Sequence, residues 1–401
     1  MALYAQHGHG KSDKIDKALA DDDLQGVIFG ARNETPERLA PYITKLREDH
    51  ADCTLLLDPQ FYVSTMTPPN DRFLPEYPYY EAGRTATDFT RARRLAEYAK
   101  STLDFQLGLG LDSLISPSIC FDSFSDRWHQ VALNLADASL EYYDSLHDAP
   151  PLLLSFVFSE QALSSLEDVQ RFLDTVTQDD WGMEGFYLIV SRDESAYNQQ
   201  FDAQRLSHLL YLVHVLGEIN GLRVVCGYSD FVGVLLRAVG AEAFATGWSQ
   251  SLRQFHRKNF LRRPAGGQQP RARYSSGPLF NSVLLGELQD IHDGGHLDDV
   301  LSGVPLDHVI TDAASPQAAD WTRPISQLHH WQALQRLDQL VTGDVRTDLR
   351  TISQRIRNAR GLYTMLEAAG VPFDRYTGKD HLTDWIRGIR GFCDEAGLTS
   401  S

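Results

Sequence analysis

From Ala2 to Gly247 the chain alternates short apolar runs with longer amphipathic stretches. Eight runs read as strands: Ala2–Gln6, Gly26–Gly30, Thr54–Asp58, Ser113–Ser118, Leu152–Phe158, Phe186–Ser191, Arg223–Gly227 and Ala243–Gly247. Most are apolar throughout instead of alternating in and out, the pattern of parallel strands buried on both faces. Between them the spacing predicts helices over Asp13–Ala20, Pro36–Glu48, Thr87–Phe105, Ser125–Leu146, Ser165–Thr177, Asp202–Asn220 and Phe231–Val239. Leu206, Leu209, Leu210, Val213 and Leu216 share one helical face, with Arg205 and His208 off it.

Strand–helix alternation repeated in this way predicts a parallel sheet, and eight units that close on themselves make a (β/α)8 TIM-type barrel. A doubly wound open sheet is the competing arrangement. The first run has the least support; without it, the eighth strand has to come from Gly277–Leu285 or Leu306–Thr311. Beyond the alternation, Ile325–Leu340, Val345–Ala369 and His381–Ala396 read as a helical C-terminal extension. The expected organisation is therefore a barrel over 1–249, a basic loop and connecting segment over 250–320, and the extension over 321–401. Ser64–Thr85, rich in Pro, Tyr and acid, reads as a long ordered loop after the third strand.

The length of 401 residues leaves about 150 beyond a barrel of roughly 250. A net charge of −17 argues against a wholesale nucleic-acid coat or a membrane-surface protein, but not against one local basic site. The four cysteines, Cys53, Cys120, Cys226 and Cys393, are too far apart for a metal knuckle and read as free thiols of a reducing compartment. No apolar run reaches about 18 residues, and MALYAQHGHGKSDK lacks a signal peptide's apolar stretch, so the expectation is a cytoplasmic protein with no membrane partner.

In a barrel, functional groups gather where strands end and the following loops begin. Reading that rim singles out His7, His9 and Lys11 after the first strand, Asp58 at the tip of the third, Glu160 after the fifth and Asp230 after the seventh. These six are the catalytic candidates. Ala5–Ser12 (AQHGHGKS) also fits a relaxed phosphate-loop pattern, with Ala5 in place of the first glycine. Asp58 ends a buried strand, where low dielectric raises a carboxyl pKa and suits it to acid/base or nucleophilic work. Asp230 has the same placement, but capping the helix at Phe231 is its favoured role. Trp248 and Tyr228 are candidates for stacking on a planar ligand.

One compositional feature changes the picture most. From Ala243 to Gly286 there is no Asp or Glu, in a chain with 54 of them. Within that window lie Arg253, Arg257, Lys258, Arg262, Arg263, Arg271 and Arg273, with Phe255, Phe260 and Tyr274 interleaved. Arginine forks suit phosphate, and barrels often bind phosphate after their last two strands. The GGQQ tract inside this loop suggests ordering on ligand binding. No dedicated metal site is expected: His292 and His296 are separated by two glycines, and no HExxH motif occurs. Mg²⁺ held through a substrate phosphate is compatible with the acidic rim.

The leading expectation is an enzyme acting on a nucleotide, a phosphorylated ligand or a nucleic acid, of transferase or hydrolase class. A non-catalytic module that docks a nucleic acid or an acidic protein is the first alternative. Base exchange on a nucleic acid is the second. It is the chemistry of the tRNA-guanine transglycosylase-like barrels, which join this fold to nucleic-acid chemistry through carboxylates. That family's clustered zinc-binding cysteines have no counterpart here.

Overall fold

The computed structural model describes residues 2–10, 12–177, 183–193, 199–262 and 271–398. Its barrel strands are β1 (Leu3–Gln6), β2 (Gly26–Gly30), β3 (Thr54–Asp58), β4 (Leu114–Ile115), β5 (Cys120–Phe121), β6 (Leu152–Ser159), β7 (Gly185–Ser191), β8 (Arg223–Gly227) and β9 (Ala243–Thr246). They run parallel in the order β3-β2-β1-β9-β8-β7-β6-β4, and β5 also pairs with β6. β4 and β5 thus form one interrupted stave, and the barrel has eight. The sequence predicts one strand over Ser113–Ser118; Pro117, which has no N–H to give a ladder, falls at the break.

Closure between β3 and β4 is made by one backbone bond and by side chains. The Asp112 backbone N–H donates to the Leu55 carbonyl at 3.0 Å, and the Leu55 N–H returns a bond to the Asp112 carboxylate at 2.6 Å. On the same edge the Gln106 amide replaces a neighbouring strand, accepting from the Ile115 N–H at 2.9 Å and donating to its carbonyl at 2.7 Å. The exposed backbone of a two-residue strand is thereby satisfied without a ladder.

Helices α1 (Lys14–Ala20), α2 (Pro36–Asp49), α3 (Ala92–Leu107), α4 (Arg127–Asp144), α5 (Leu166–Val176), α6 (Ala203–His214) and α7 (Val232–Ala238) alternate with the strands around them. α6 ends six residues before the predicted boundary and passes into a π-helical turn over Val215–Ile219. There the Asn220 N–H bonds the Val215 carbonyl at 3.1 Å and the Asn220 side chain caps the same oxygen at 2.6 Å.

After β9 come a single turn, α8 (Gln250–Arg253), then an antiparallel hairpin, β10 (Arg273–Ser276) and β11 (Asn281–Leu284). The hairpin, not a barrel strand, accounts for the apolar run after Gly277. α9 (Leu285–Asp293), α10 (Leu297–Val300) and α11 (His308–Thr311) lead to three long helices, α12 (Arg323–Asp338), α13 (Val345–Ala368) and α14 (Asp380–Glu395). α12 packs against α7, β1 and α1, the place that an eighth barrel helix takes. Trp331 on α12 is fully buried and donates to the Thr246 carbonyl at 3.0 Å. Asp338 at its far end accepts from the Ala2 N–H and the Arg237 guanidinium, each at 3.0 Å. α12 therefore runs the height of the barrel with its N-terminus at the mouth. α14 lies against α6 where glycines allow close approach: a Cβ at Gly391 would stand 2.9 Å from the Ser207 hydroxyl.

The four cysteines are free thiols. Among the described residues no helix is long and apolar enough to cross a membrane.

Candidate functional site

The C-terminal mouth of the barrel carries two adjoining arrangements. The first is a buried polar cluster around Asp58. Its carboxylate accepts from the Gln60 N–H at 3.0 Å and from the Tyr62 hydroxyl at 3.0 Å. Burial pushes its pKa up to about 7, against the lowering pull of those two bonds, of Tyr187 and, more weakly, of the Arg32 guanidinium. Asp58 is thus divided between acid and carboxylate near neutral pH, as general acid/base chemistry requires. Gln60 ties the cluster together, accepting from the Arg32 N–H at 2.8 Å and donating to the Tyr228 hydroxyl at 3.2 Å.

Four non-glycine residues at this rim hold left-handed backbone: Ser12 at φ 45°, Gln60 at φ 52°, Tyr228 at φ 55° and Asp230 at φ 43°. Each costs about 1–3 kcal/mol, and such strain gathers at functional sites.

A strap of residues 254–262 covers the cluster. The Phe255 ring meets Tyr62 and Tyr228 at 5.3 and 5.4 Å, and Phe260 meets Tyr62 at 5.6 Å. The Arg32 guanidinium lies 4.1 Å over Phe260 and donates to the Asn259 carbonyl at 2.9 Å. The strap is stitched to three neighbouring loops. The Asn70 N–H donates to the Phe260 carbonyl at 2.8 Å, the Arg192 N–H to the Phe255 carbonyl at 2.9 Å, and Arg257 pairs with Asp122 at 2.9 Å.

The second arrangement is an open pocket of about 330 Å³ beside the strap, between the loop after β1, the root of the strap and the first turn of α12. Lys14, Arg253, Arg271, Arg273 and Arg323 line it, together with His9 and Trp248, and among the described residues no carboxylate does. Burial holds Lys14 below the usual lysine range. The N-terminal turn of α12 adds the positive end of a helix. The His7 ring packs 5.6 Å from Phe29, on the helix-facing side of β2, and 6.1 Å from Trp248 in the pocket wall.

The basic loop therefore divides. Arg253, Arg271 and Arg273 reach the pocket. Arg257, Lys258 and Arg262 belong to the strap, where Arg262 donates to the Pro69 carbonyl at 3.0 Å and Lys258 is exposed. Lys11, Arg263 and the GGQQ tract lie outside the described residues. His9 is exposed in the pocket wall, and its carbonyl accepts from the Trp248 indole at 3.3 Å. Glu160 stands apart, in an ion pair with Arg192 at 2.9 Å and accepting from the Asp193 N–H at 2.7 Å.

Asp230 corrects the helix-cap expectation. Its side chain does not cap α7; it accepts from Gln199 at 2.6 Å and stands 3.3 Å from His330 of α12. The reason is the α12 helix, which brings a histidine over the carboxylate from 100 residues downstream. Among the described residues no three His, Cys, Asp or Glu side chains form a metal-ligand group.

Sequence reasoning missed Lys14, Arg323 and Tyr187. Lys14 begins a helix directly behind the rim loop, a position that signals proximity to the mouth. Arg323 carries no such signal. Tyr187 sits inside an apolar strand, where only its inward register marks it.

No family model matches the chain, and no curated protein matches it. Among solved structures, 3-dehydroquinate dehydratase from Aquifex aeolicus VF5 is 13% identical, with a TM-score of 0.31 over 66% of this chain and 100% of that one. Dihydrodipicolinate synthase from Bacillus clausii is 9% identical, with a TM-score of 0.32 over 99% of this chain and 98% of that one. Likeness at this level carries no argument about chemistry; the barrel rests on the strand pairing above.

Proposed function

We propose that this protein is an enzyme acting on a phosphate-bearing substrate, with the phosphate held in the cationic pocket and Asp58 as the acid/base group. One observation carries the reading: among the described residues, five cationic side chains and a helix N-terminus, and no carboxylate, line a pocket at the same barrel mouth as a buried aspartate titrating near neutrality. Phosphate sites in such barrels recur after the last strands and at the N-terminus of an extra helix. Several charge-assisted bonds from arginine forks supply the affinity, and removing one weakens it by about tenfold or more. Mg²⁺ brought in on the substrate phosphate is compatible with this arrangement.

Titration calorimetry with inorganic phosphate and pyrophosphate tests the pocket. Binding is expected to weaken with salt and to fall about tenfold in Arg271→Ala and in Arg323→Ala, both exposed positions. Asp58→Asn is expected to leave it within about twofold. Absence of binding by either anion would sink the reading. A single-stranded oligonucleotide that binds far more tightly than pyrophosphate, indifferently to Asp58→Asn, would favour the docking module instead.

A further inference from the structure

Beneath the strap lie polar groups that no described residue satisfies. Both amide atoms of Gln6, fully buried at the end of β1, lack a hydrogen-bond partner, and so does the hydroxyl of fully buried Tyr187 on β7. That hydroxyl faces Asp58 on one side and Gln6 on the other, without completing a bond of good geometry to either. Gly227 keeps its surroundings clear: a Cβ there would stand 2.6 Å from the Tyr187 oxygen. Native proteins rarely leave buried polar atoms unpaired, and the exceptions call for a catalytic role or a missing occupant.

The unpaired set specifies that occupant. Tyr187 and the Gln6 amide nitrogen offer donors to an oxygen with lone pairs, while the Gln6 amide oxygen needs a donor. A phosphate oxygen supplies only acceptors. A hydrocarbon supplies neither. A carbonyl next to a hydroxyl supplies both. Gln6 and His9 are three residues apart, so no more than about 11 Å of chain separates this buried polar cluster from the cationic pocket.

We infer that the substrate is a phosphorylated hydroxycarbonyl compound, its phosphate in the cationic pocket and its carbonyl and neighbouring hydroxyl on Tyr187 and Gln6 once the strap lifts. Only the phosphate end of this inference rests on the function proposed above. Gln6 and Tyr187 are then substrate-binding groups beside the acid/base aspartate.

Calorimetry with dihydroxyacetone phosphate, n-propyl phosphate, inorganic phosphate and dihydroxyacetone tests it. Dihydroxyacetone phosphate is expected to bind about tenfold more tightly than n-propyl phosphate, the difference that one or two hydrogen bonds make. Tyr187→Phe and Gln6→Met are expected to bring the two within about twofold of each other and to leave inorganic phosphate unchanged. Equal affinities in the unmodified protein would overturn the subsite, leaving an ordered water as its occupant, whatever inorganic phosphate does. Dihydroxyacetone binding that Tyr187→Phe abolishes, with no binding of inorganic phosphate, would keep the subsite and overturn the anion pocket. Thermal unfolding of each variant establishes that it is folded.

Discussion

Asp58 and Asp230 are both almost completely buried at the same end of the barrel, yet their carboxyls titrate in opposite directions. Burial drives both up. At Asp230 it is outweighed by His330, by the Arg253 charge and by the Gln199 amide, which hold the carboxyl below the usual range. His330 is itself pushed down to about 4 by burial and by Arg253, and its other ring nitrogen meets the Ser275 hydroxyl at 2.9 Å. This cluster joins α12 to the barrel, although Asp230 Oδ1 and the Gln199 amide oxygen complete no hydrogen bond among the described residues. Asp58 has only a backbone N–H and phenol groups beside it, and Arg32 acts weakly, so burial wins. The comparison teaches that burial alone does not mark a working carboxylate. What separates the two is the nearby charge: Arg253 and His330 act on Asp230, and only a weak pull from Arg32 reaches Asp58.

The largest expected effect breaks the Asp230–His330 cluster. His330→Ala empties the space of a fully buried ring and removes its hydrogen bond to Ser275, and should cost about 3–5 kcal/mol in denaturant unfolding at pH 7. His330 also sets an acid limit. Because its folded pKa lies below the unfolded value, its contribution is lost as pH falls from about 6.5 towards about 4. A variant as stable as the parent would mean that the cluster is not what holds α12.

Asp58→Asn is next and should act in the opposite sense. A carboxyl whose folded pKa is raised stabilises the fold below its unfolded pKa and loses that contribution as pH rises from about 4 to about 7. The asparagine variant should therefore be more stable above pH 7, by up to about 4 kcal/mol, with a flatter pH profile across that window. Turnover of the eventual substrate should drop about 10²–10⁴-fold. A destabilised variant at pH 8 would place Asp58 among the structural carboxylates.

Tyr187→Phe sharpens the contrast on a smaller scale. Removing a buried hydroxyl without a partner should raise stability by about 1 kcal/mol, where removal of a bonded one lowers it. A fall in melting temperature would show that the hydroxyl is satisfied within the protein. The smallest effect is local. Arg257→Ala releases one partly exposed stitch of the strap, worth about 0.5–1 kcal/mol, and should speed hydrogen exchange of the Asn70 and Arg262 amides with little change in global stability. Unchanged exchange would mean that the aromatic contacts hold the strap by themselves.

Much of the fold is legible in the chain. Buried parallel strands must be apolar on both faces, so seven of the eight staves and all three long C-terminal helices announce themselves within a residue or two of their ends. β4 and β5 are the exception: Pro117 splits them, and the Asp112 and Gln106 side chains that close the barrel beside them follow no periodic rule. The rim is legible for the same reason as the strands, and Asp58 is found by position alone. The basic window is legible as composition, but its division is not. Whether an arginine reaches the pocket, as Arg253, Arg271 and Arg273 do, or stitches the strap, as Arg257 and Arg262 do, depends on the loops that happen to lie opposite.

The chain by itself determined the alternation, the staves, the helical extension and the excess of positive charge after the last strand, because each is a local consequence of hydrophobic spacing or residue type. Tertiary structure alone decided that α12 would stand in the eighth helix position, bringing Arg323 to a cationic pocket and His330 onto Asp230. It also decided that Gln6, Asp58 and Tyr187, from three separate strands, would share one buried polar cluster. Packing brings distant segments together, and the fate of a charge is set by the dielectric and the partners it meets there, neither of which is written next to it in the sequence.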